Sequence, residues 1–363
     1  MPRISVHLVA ATILCIFGAT CARSQDAQVR TDPLDRDRIS VGSDTGGSLR
    51  IISTSDTVEA KGLLTEWNRL HPDIRVDYIH QSSLEVYEEV VRCKDQQGQC
   101  PDIAWSSAMD LQVKLVNDGY AQVFSPSEID KLPNWAIWRK QAFGITAEPI
   151  ALVYNKRLVP AEDVPRTRAD LLKLITTKRS TYHGKVASYD AELSGTGFLF
   201  YSNDVQITPD TWNLVRGLGQ AGVRLYTFGH TILDRIASGE HLLAYNMIAS
   251  YALERAKDDP SIGVALFADY TALITRIAII PKSAPHAAQA ALFMDFLLSR
   301  NAQDQLAARS FGTVRTDMPI GIRGTVSEDA LRPIRVGPDL LTYLDQSKRR
   351  AFFREWRRAL DGR

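Results

Sequence analysis

Two hydrophobic periods alternate along the chain from about Leu49 to Tyr120. Short runs of extended character, "LRIIS" at 49–53, "IRVDYI" at 74–79 and "DIAWS" at 102–106, read as buried strands. Between and after them, apolar positions recur three and four apart, which predicts helices from about Val58 to Leu70, Leu84 to Arg92 and Asp110 to Asn117. Pro72 in "HPDI" and Gly119 in "NDGY" stop the first and third of these in the expected way. Strand–helix alternation of this kind predicts βα units and a mainly parallel sheet.

In such sheets ligands gather beyond the carboxyl ends of the strands, where the turns into helices lie together. Three turns here are rich in hydroxyls: "STSDT" at Ser53 to Thr57, "HQSS" at His80 to Ser83, and "WSSAMD" at Trp105 to Asp110. A single serine in such a corner is ordinarily a helix cap. Three polar corners on one edge also make a rim of donors, so Ser53, Thr54, Ser55, Ser106 and Ser107 are candidate ligand residues, with Ser106 and Ser107 expected both to cap the helix and to face the solute.

The pattern then changes lobe. "QAFGITAEPIALVYNKRLV" is extended and apolar, broken by Glu148-Pro149, and leads past Pro160 and Pro165 to a helix at about Ala169 to Thr177. The next region carries "GKVASYD", "SGTGFLF", a helix at Asp210 to Gln220 and "EHLLAYNMIASYAL", a buried strand running through a polar corner into a helix. "DYTALITRIAIIP", Asp269 to Pro281, is extended again and brings the chain back, with helices from Ala287 to Leu298 and beyond. The expected organisation is a first lobe over 47–147, a second over 148–269, and a return to the first lobe with C-terminal helices over 270–363. The terminal "LLTYLDQSKRRAFFREWRRAL" reads as a packed helix with a solvated basic face. No internal repeat is evident.

The start of the chain adds a compartment. "MPRISVHLVAATILCIFGATCARS" places Arg3 before an apolar run, Val6 to Phe17, and ends in small residues, the pattern of a secretory signal over 1–24. The run is short for a membrane span. Gly18-Ala19-Thr20 before Cys21 lacks the apolar residue of a lipoprotein signal. Residues 25–46, with "DPLDRDR" and "GSDTGG", read as a flexible leader. Loss of the signal would leave two cysteines, Cys93 and Cys100, around "KDQQGQ"; in an oxidising compartment this spacing predicts a disulfide.

Charge excludes more than it suggests. Lys and Arg number 43 against 42 Asp and Glu, a formal net charge of +1, and removing Arg3 and Arg23 would make it −1. Nucleic-acid binding wants concentrated basic surface and is not expected. Enzyme chemistry is not expected either: the seven histidines are scattered singly, and there is no G-x-S-x-G elbow, no H-E-x-x-H and no phosphate loop. No cofactor is implied.

Several stretches carry a resemblance: "LRIISTSDTVEAKGLLTEWNRLHPDIRVDY", "PDIAWSSAMDL", "IALVYNKRLV", "SGTG", "ASGEHLLAYNMIASYAL" and "FLLSRNAQ". With the signal and the two α/β lobes, the chain resembles the extracellular solute-binding proteins of ABC transporters, of the type II periplasmic-binding fold with crossing hinge strands. The group includes ferric-ion, phosphonate and hexose-phosphate binders, and the likeness is strongest to the phosphoglycerate transport regulatory proteins. The resemblance implies a periplasmic protein whose cleft closes on a solute. Delivery to a permease in the inner membrane and signalling to a sensor kinase are further implications, and a monomer is expected.

Within that family, ferric binders hold the metal with two adjacent tyrosines after the "GE" stretch. Here Ser250-Tyr251 stands at that place, with Tyr245-Asn246 earlier, so only one phenolate of the pair is present. A small organic anion, phosphorylated or carboxylated, is the better expectation, with ferric ion or a ligand-sensing adaptor role as the alternatives. Ser194, Gly195 and Thr196 would offer backbone N–H groups from the second lobe. Arg276, on the returning strand, is the candidate bidentate clamp, and Tyr245, Asn246, Ser250 and Tyr251 would complete the wall.

Overall fold

The computed structural model describes residues 38–93, 100–319 and 327–361, and the order of its strands shows where the chain passes between two sheets. The signal read at 1–24 lies outside the described residues. The first sheet starts with β1 (Arg38–Val41) and β2 (Gly47–Ser53), followed by α1 (Thr57–Leu70), β3 (Ile74–His80), α2 (Ser83–Arg92), β4 (Ile103–Ser106) and α3 (Met109–Asn117). β2 lies parallel between β3 and β4. Leu49, Ile51 and Ile52 are fully buried, as a strand covered on both faces requires. Ala60, Leu63, Leu64 and Trp67, spaced three and four apart on α1, form its buried face, and Gly119 ends the turn after α3 at φ +84°.

β5 (Ile137–Trp138) and β6 (Ala142–Gly144) extend this sheet, and residues 145–147 then carry the chain into β7 (Glu148–Asn155) of the second sheet. That lobe is built from α4 (Arg168–Thr177), α5 (Arg179–Tyr182), β8 (Val186–Tyr189), α6 (Gly195–Ile207), α7 (Thr211–Gln220), β9 (Arg224–Tyr226) and α8 (Gly229–Ser238). It continues with β10 (Leu243–Ile248), α9 (Ala249–Asp258), β11 (Ile262–Ala265) and β12 (Thr271–Ile274). Thr275 and Arg276 cross back, and β13 (Ile277–Ile279) inserts between β4 and β6 of the first sheet, followed by α10 (Ala287–Leu298) and α11 (Arg300–Ala308). This is the two-lobe type II architecture expected from the sequence.

Three expectations need correction. Residues 25–46 are not all leader: β1 pairs antiparallel with β3, and the alternation of Ile39 and Val41 packs one face onto the core, a signal of only two apolar residues. The sheets are mixed, because the strands that arrive by crossing from the other lobe enter antiparallel: β13 on β4 and β6 in the first sheet, and β7 on β10, β11 and β12 in the second. The end of the chain also leaves the first lobe again. β14 (Leu331–Pro333) lies parallel to β12, and α12 (Gln346–Asp361) packs on α7, burying Phe352, Trp356 and Ala359 in the second lobe. Between them Val336 N–H donates to the Trp135 carbonyl at 2.7 Å, and a 3-10 turn, Pro338–Leu344, rests on α3, so the terminal segment touches both lobes.

Among the described residues no helix is long and apolar enough to cross a membrane. Cys93 and Cys100 form a disulfide with Cα atoms 5.5 Å apart, joining the end of α2 to the approach to β4.

Candidate functional site

Among the described residues six helices begin at the cleft between the lobes. α1, α2 and α3 contribute from the first lobe through Asp56, Ser82 and Ser107; α6, α8 and α9 contribute from the second through Ser194, Phe228 and Ile248. Each start carries unsatisfied N–H groups and partial positive charge. Ser82 and Ser194 cap α2 and α6 by accepting from Glu85 N–H and Gly197 N–H, whereas α1, α3, α8 and α9 have no side-chain cap. On α1 Glu59 N–H turns back to the Asp56 carbonyl and on α3 Met109 N–H to the Ser107 carbonyl, while the partial positive charge of each helix start still faces the cleft.

A line of hydroxyls crosses the cleft. Thr54 Oγ1 accepts from Ser107 N–H at 3.0 Å, and Ser107 Oγ lies 3.1 Å from Thr196 Oγ1 of the opposite lobe. Tyr251 reaches back across the gap to donate to the Thr54 carbonyl at 3.3 Å. The lobes thus meet here, and the inner cleft leaves about 50 Å3, space for a group of a few heavy atoms. His80 Nε2 stands 3.1 Å from Asp56 Oδ1 at its edge.

Glycines permit the close approaches. A Cβ on Gly195 would come within 2.7 Å of Ser83 Oγ on the other lobe, and one on Gly229 would come within 2.4 Å of the Tyr189 hydroxyl.

Of the thirteen candidate ligand residues, Thr54, Ser107, Ser194, Thr196 and Tyr251 line the cleft, and Gly195 lies at the lobe contact beside it. The others have different work. Ser53 Oγ accepts from Ser55 N–H and Ser106 Oγ from Ala108 N–H, each stiffening the turn after its strand. Ser106 is not the N-cap of α3, a position held by Ala108.

Arg276 is not a free clamp. It is fully buried, binds Glu148 through Nε at 2.8 Å and Nη2 at 3.1 Å, and donates from Nη1 to Ser55 Oγ and, at 3.0 Å, to the Tyr251 hydroxyl. Ser250 donates to Glu148 Oε2, the oxygen that also accepts from Arg276 Nη2. Ser55, Ser250 and Arg276 therefore belong to the hinge, where Thr146 also binds Glu148. Tyr245 and Asn246 both donate to Asp204 at 2.8 Å, inside a second-lobe network with Arg168 and Tyr270, away from the cleft.

The two tyrosine positions considered for iron are thus separated. Burial pushes both the Tyr245 and Tyr251 phenols well above the usual tyrosine range, outweighing the pull of Arg168 on one and Arg276 on the other. Among the described residues no three His, Cys, Asp or Glu side chains gather as metal ligands.

One wall of the cleft escaped the sequence reading. Thr227, Phe228, Gly229 and His230 form the corner between β9 and α8, with Phe228 stacked on His230 at 5.5 Å and edge-on to His80 at 6.4 Å. β9 is only three residues long, too short to show a period.

Comparison with known proteins places this geometry. Residues 53–304 match the model of the bacterial extracellular solute-binding protein family. The structure superposes on the substrate-binding protein of an ABC transporter from Agrobacterium tumefaciens with a TM-score of 0.82 and 33% identity, covering 91% of this chain and 100% of that one. AfuA from Actinobacillus pleuropneumoniae, solved with fructose-6-phosphate, gives 0.69 at 17% identity over 86% of this chain and 98% of that one. Iron-bound HitA from Pseudomonas aeruginosa gives 0.65 at 17% over 86% and 99%. The last two show shared fold alone. Among curated proteins no match was found.

Proposed function

The chain belongs to the bacterial extracellular solute-binding protein family, and from that premise we propose that it captures a small organic anion, phosphorylated or carboxylated, in the interlobe cleft and delivers it to an ABC permease in the inner membrane. A periplasmic location reached through the signal at 1–24 is part of the proposal, as is the absence of catalysis. The observation that carries the ligand class is the convergence of six helix starts, four of them without a side-chain cap, on one hydroxyl-lined cleft. The partial positive charge of helix starts gathered in this way favours negative charge on the solute.

The small inner space suits a phosphate or carboxylate group, with the remainder of the solute extending outward. A guanidinium clamp is not needed for this, which is consistent with Arg276 being committed to Glu148. A ferric site is disfavoured by the same contacts: the Tyr251 hydroxyl donates to the Thr54 carbonyl and accepts from Arg276, and its burial opposes the phenolate that iron requires.

Thermal unfolding of the mature protein against phosphate esters, phosphonates, dicarboxylates and ferric citrate tests the reading. A solute at 100 times its dissociation constant adds about 2.7 kcal/mol, a clear rise in Tm. Stabilisation by phosphate esters or carboxylates supports the proposal. Stabilisation by ferric ion alone overturns it, and a flat panel favours docking to a sensor kinase as the principal role.

A further inference from the structure

The cleft continues outward into a wider chamber of about 450 Å3, and Asp56, His80, His230 and Tyr251 line both parts. The chemistry changes between them. The inner part is made of hydroxyls and helix starts, whereas Asp56 and Glu59 of the first lobe and Asp234, Glu254 and Asp258 of the second give the chamber a carboxylate lining.

Several of these acids have cations of the protein beside them. Asp234 lies 3.3 Å from Arg255, Glu254 lies 2.6 Å from Lys257, and Asp56 faces His80. Arg309, the chamber's second guanidinium, donates to the Val58 carbonyl at 3.0 Å. Glu59 differs from the rest: its Oε2 is sealed from solvent and has no hydrogen-bond partner. The Arg276 guanidinium pulls on it electrostatically, but that charge is matched at contact distance by Glu148.

Burial accordingly drives the Glu59 carboxyl well above the ordinary range, and the Asp56 charge pushes in the same direction, outweighing the pull of Arg276 and of the Asp56 N–H that donates to it. A carboxyl enclosed in this way ionises readily once a cation is brought to it. Glu59 and Asp56 sit together at the start of α1, where the chamber meets the anion-favouring inner cleft. A cation arriving there would be attached to the same solute whose anionic end lies inside.

We propose that the solute is bipolar, its anionic group held in the inner cleft and a primary ammonium at its other end lying against Glu59 and Asp56 in the outer chamber. The inference rests on the anion reading and adds the chemistry of the opposite end. It also gives the cleft a means of rejecting simple phosphate esters, since closing over a solute without the ammonium leaves Glu59 Oε2 without a partner.

Calorimetric titration with 2-aminoethyl phosphate and 3-aminopropyl phosphate, each against ethyl and propyl phosphate, tests it. The amino compounds are expected to bind at least about ten-fold tighter, the scale of one charge-assisted contact. In Glu59→Gln that advantage should vanish, the amino compounds weakening and the plain esters binding no worse than before; the amide fills the same volume, and a Tm scan checks that the variant folds. The wild-type comparison decides even without the variant. Equal affinity for amino and plain esters overturns the bipolar solute and leaves the anion reading standing. An advantage that survives in Glu59→Gln overturns the assignment to this residue, and failure of both series to bind overturns the anion reading together with the inference built on it.

Discussion

The Arg276 guanidinium meets the Glu148 carboxylate at two points, Nε to Oε1 at 2.8 Å and Nη2 to Oε2 at 3.1 Å, where the two strands joining the lobes run side by side. The crossing backbones are laced at the same place: Arg276 N–H donates to Thr146 Oγ1 at 2.9 Å, and Ile145 N–H donates to the Arg276 carbonyl at 2.9 Å. Ser55 of the first lobe and Tyr251 of the second both accept from the guanidinium. One buried ion pair therefore ties the hinge to both walls of the cleft.

Breaking that pair from one side leaves the other charge buried and alone. Arg276→Met or Glu148→Leu is expected to cost about 3–5 kcal/mol in urea unfolding, and the double variant much less than the sum of the two. Losses that simply add would show that the two side chains are not coupled.

Ser106 and Ser107 are adjacent yet separable. Ser107 bridges Thr54 and Thr196 across the lobes, whereas Ser106 is turned inward to Ala108 N–H. Ser107→Ala should weaken binding of the best phosphate ester by about 1–3 kcal/mol and scarcely move Tm; Ser106→Ala should lower stability by about 1 kcal/mol and spare affinity. Titration calorimetry beside thermal scans reads both, and a loss of affinity in Ser106→Ala alone would reverse the assignment.

These contrasts mark how far the sequence could be read. The helices were legible because their apolar residues recur on one face, as Leu63, Leu64 and Trp67 do on α1. The polar corners were legible because strand-to-helix turns share one rim, which pointed to Thr54 and Ser107, while Thr196 was pointed to by the glycines of "SGTG". Which serine of a pair faces the rim was not, because adjacent residues point to opposite sides of a strand. Every residue of β10 is buried, so the chain pattern cannot tell that Tyr245 and Asn246 turn into the second-lobe core. The partner of Arg276 lies 128 residues away, and only the fold brings Glu148 to it.

The Cys93–Cys100 bridge fastens the end of α2 to the approach to β4, and the start of α2 contributes Ser82 and Ser83 to the cleft. Replacing both cysteines by serine should lower stability by about 2–3 kcal/mol through the freer unfolded chain. Solute affinity should change little, since Ser82 keeps its capping box with Glu85. Urea unfolding and calorimetry on the same preparation separate the two effects; a large loss of affinity would mean that the bridge also sets the position of α2.

Asp110 gives the protein a pH dependence whose direction is fixed by burial. It lies in the first turn of α3, 3% exposed, and neither carboxylate oxygen has a hydrogen-bond partner. Burial pushes its carboxyl up to about 7, more strongly than the nearby helix-start N–H groups and the Arg349 charge pull it down. An unfolded aspartate has already released its proton by about pH 4. Between about pH 4 and pH 7 the folded protein therefore holds a proton that the unfolded chain does not, so this group's contribution falls as pH rises through that window, by up to about 4 kcal/mol in all, and is level above it. Asp110→Asn should remove that penalty, so its stability advantage over the parent grows from pH 4 to pH 7 and then stays constant. Urea unfolding of both proteins across pH 4 to 8.5 measures the difference directly, cancelling other titrating groups, and an advantage that does not change with pH would show that Asp110 is solvated in the folded state.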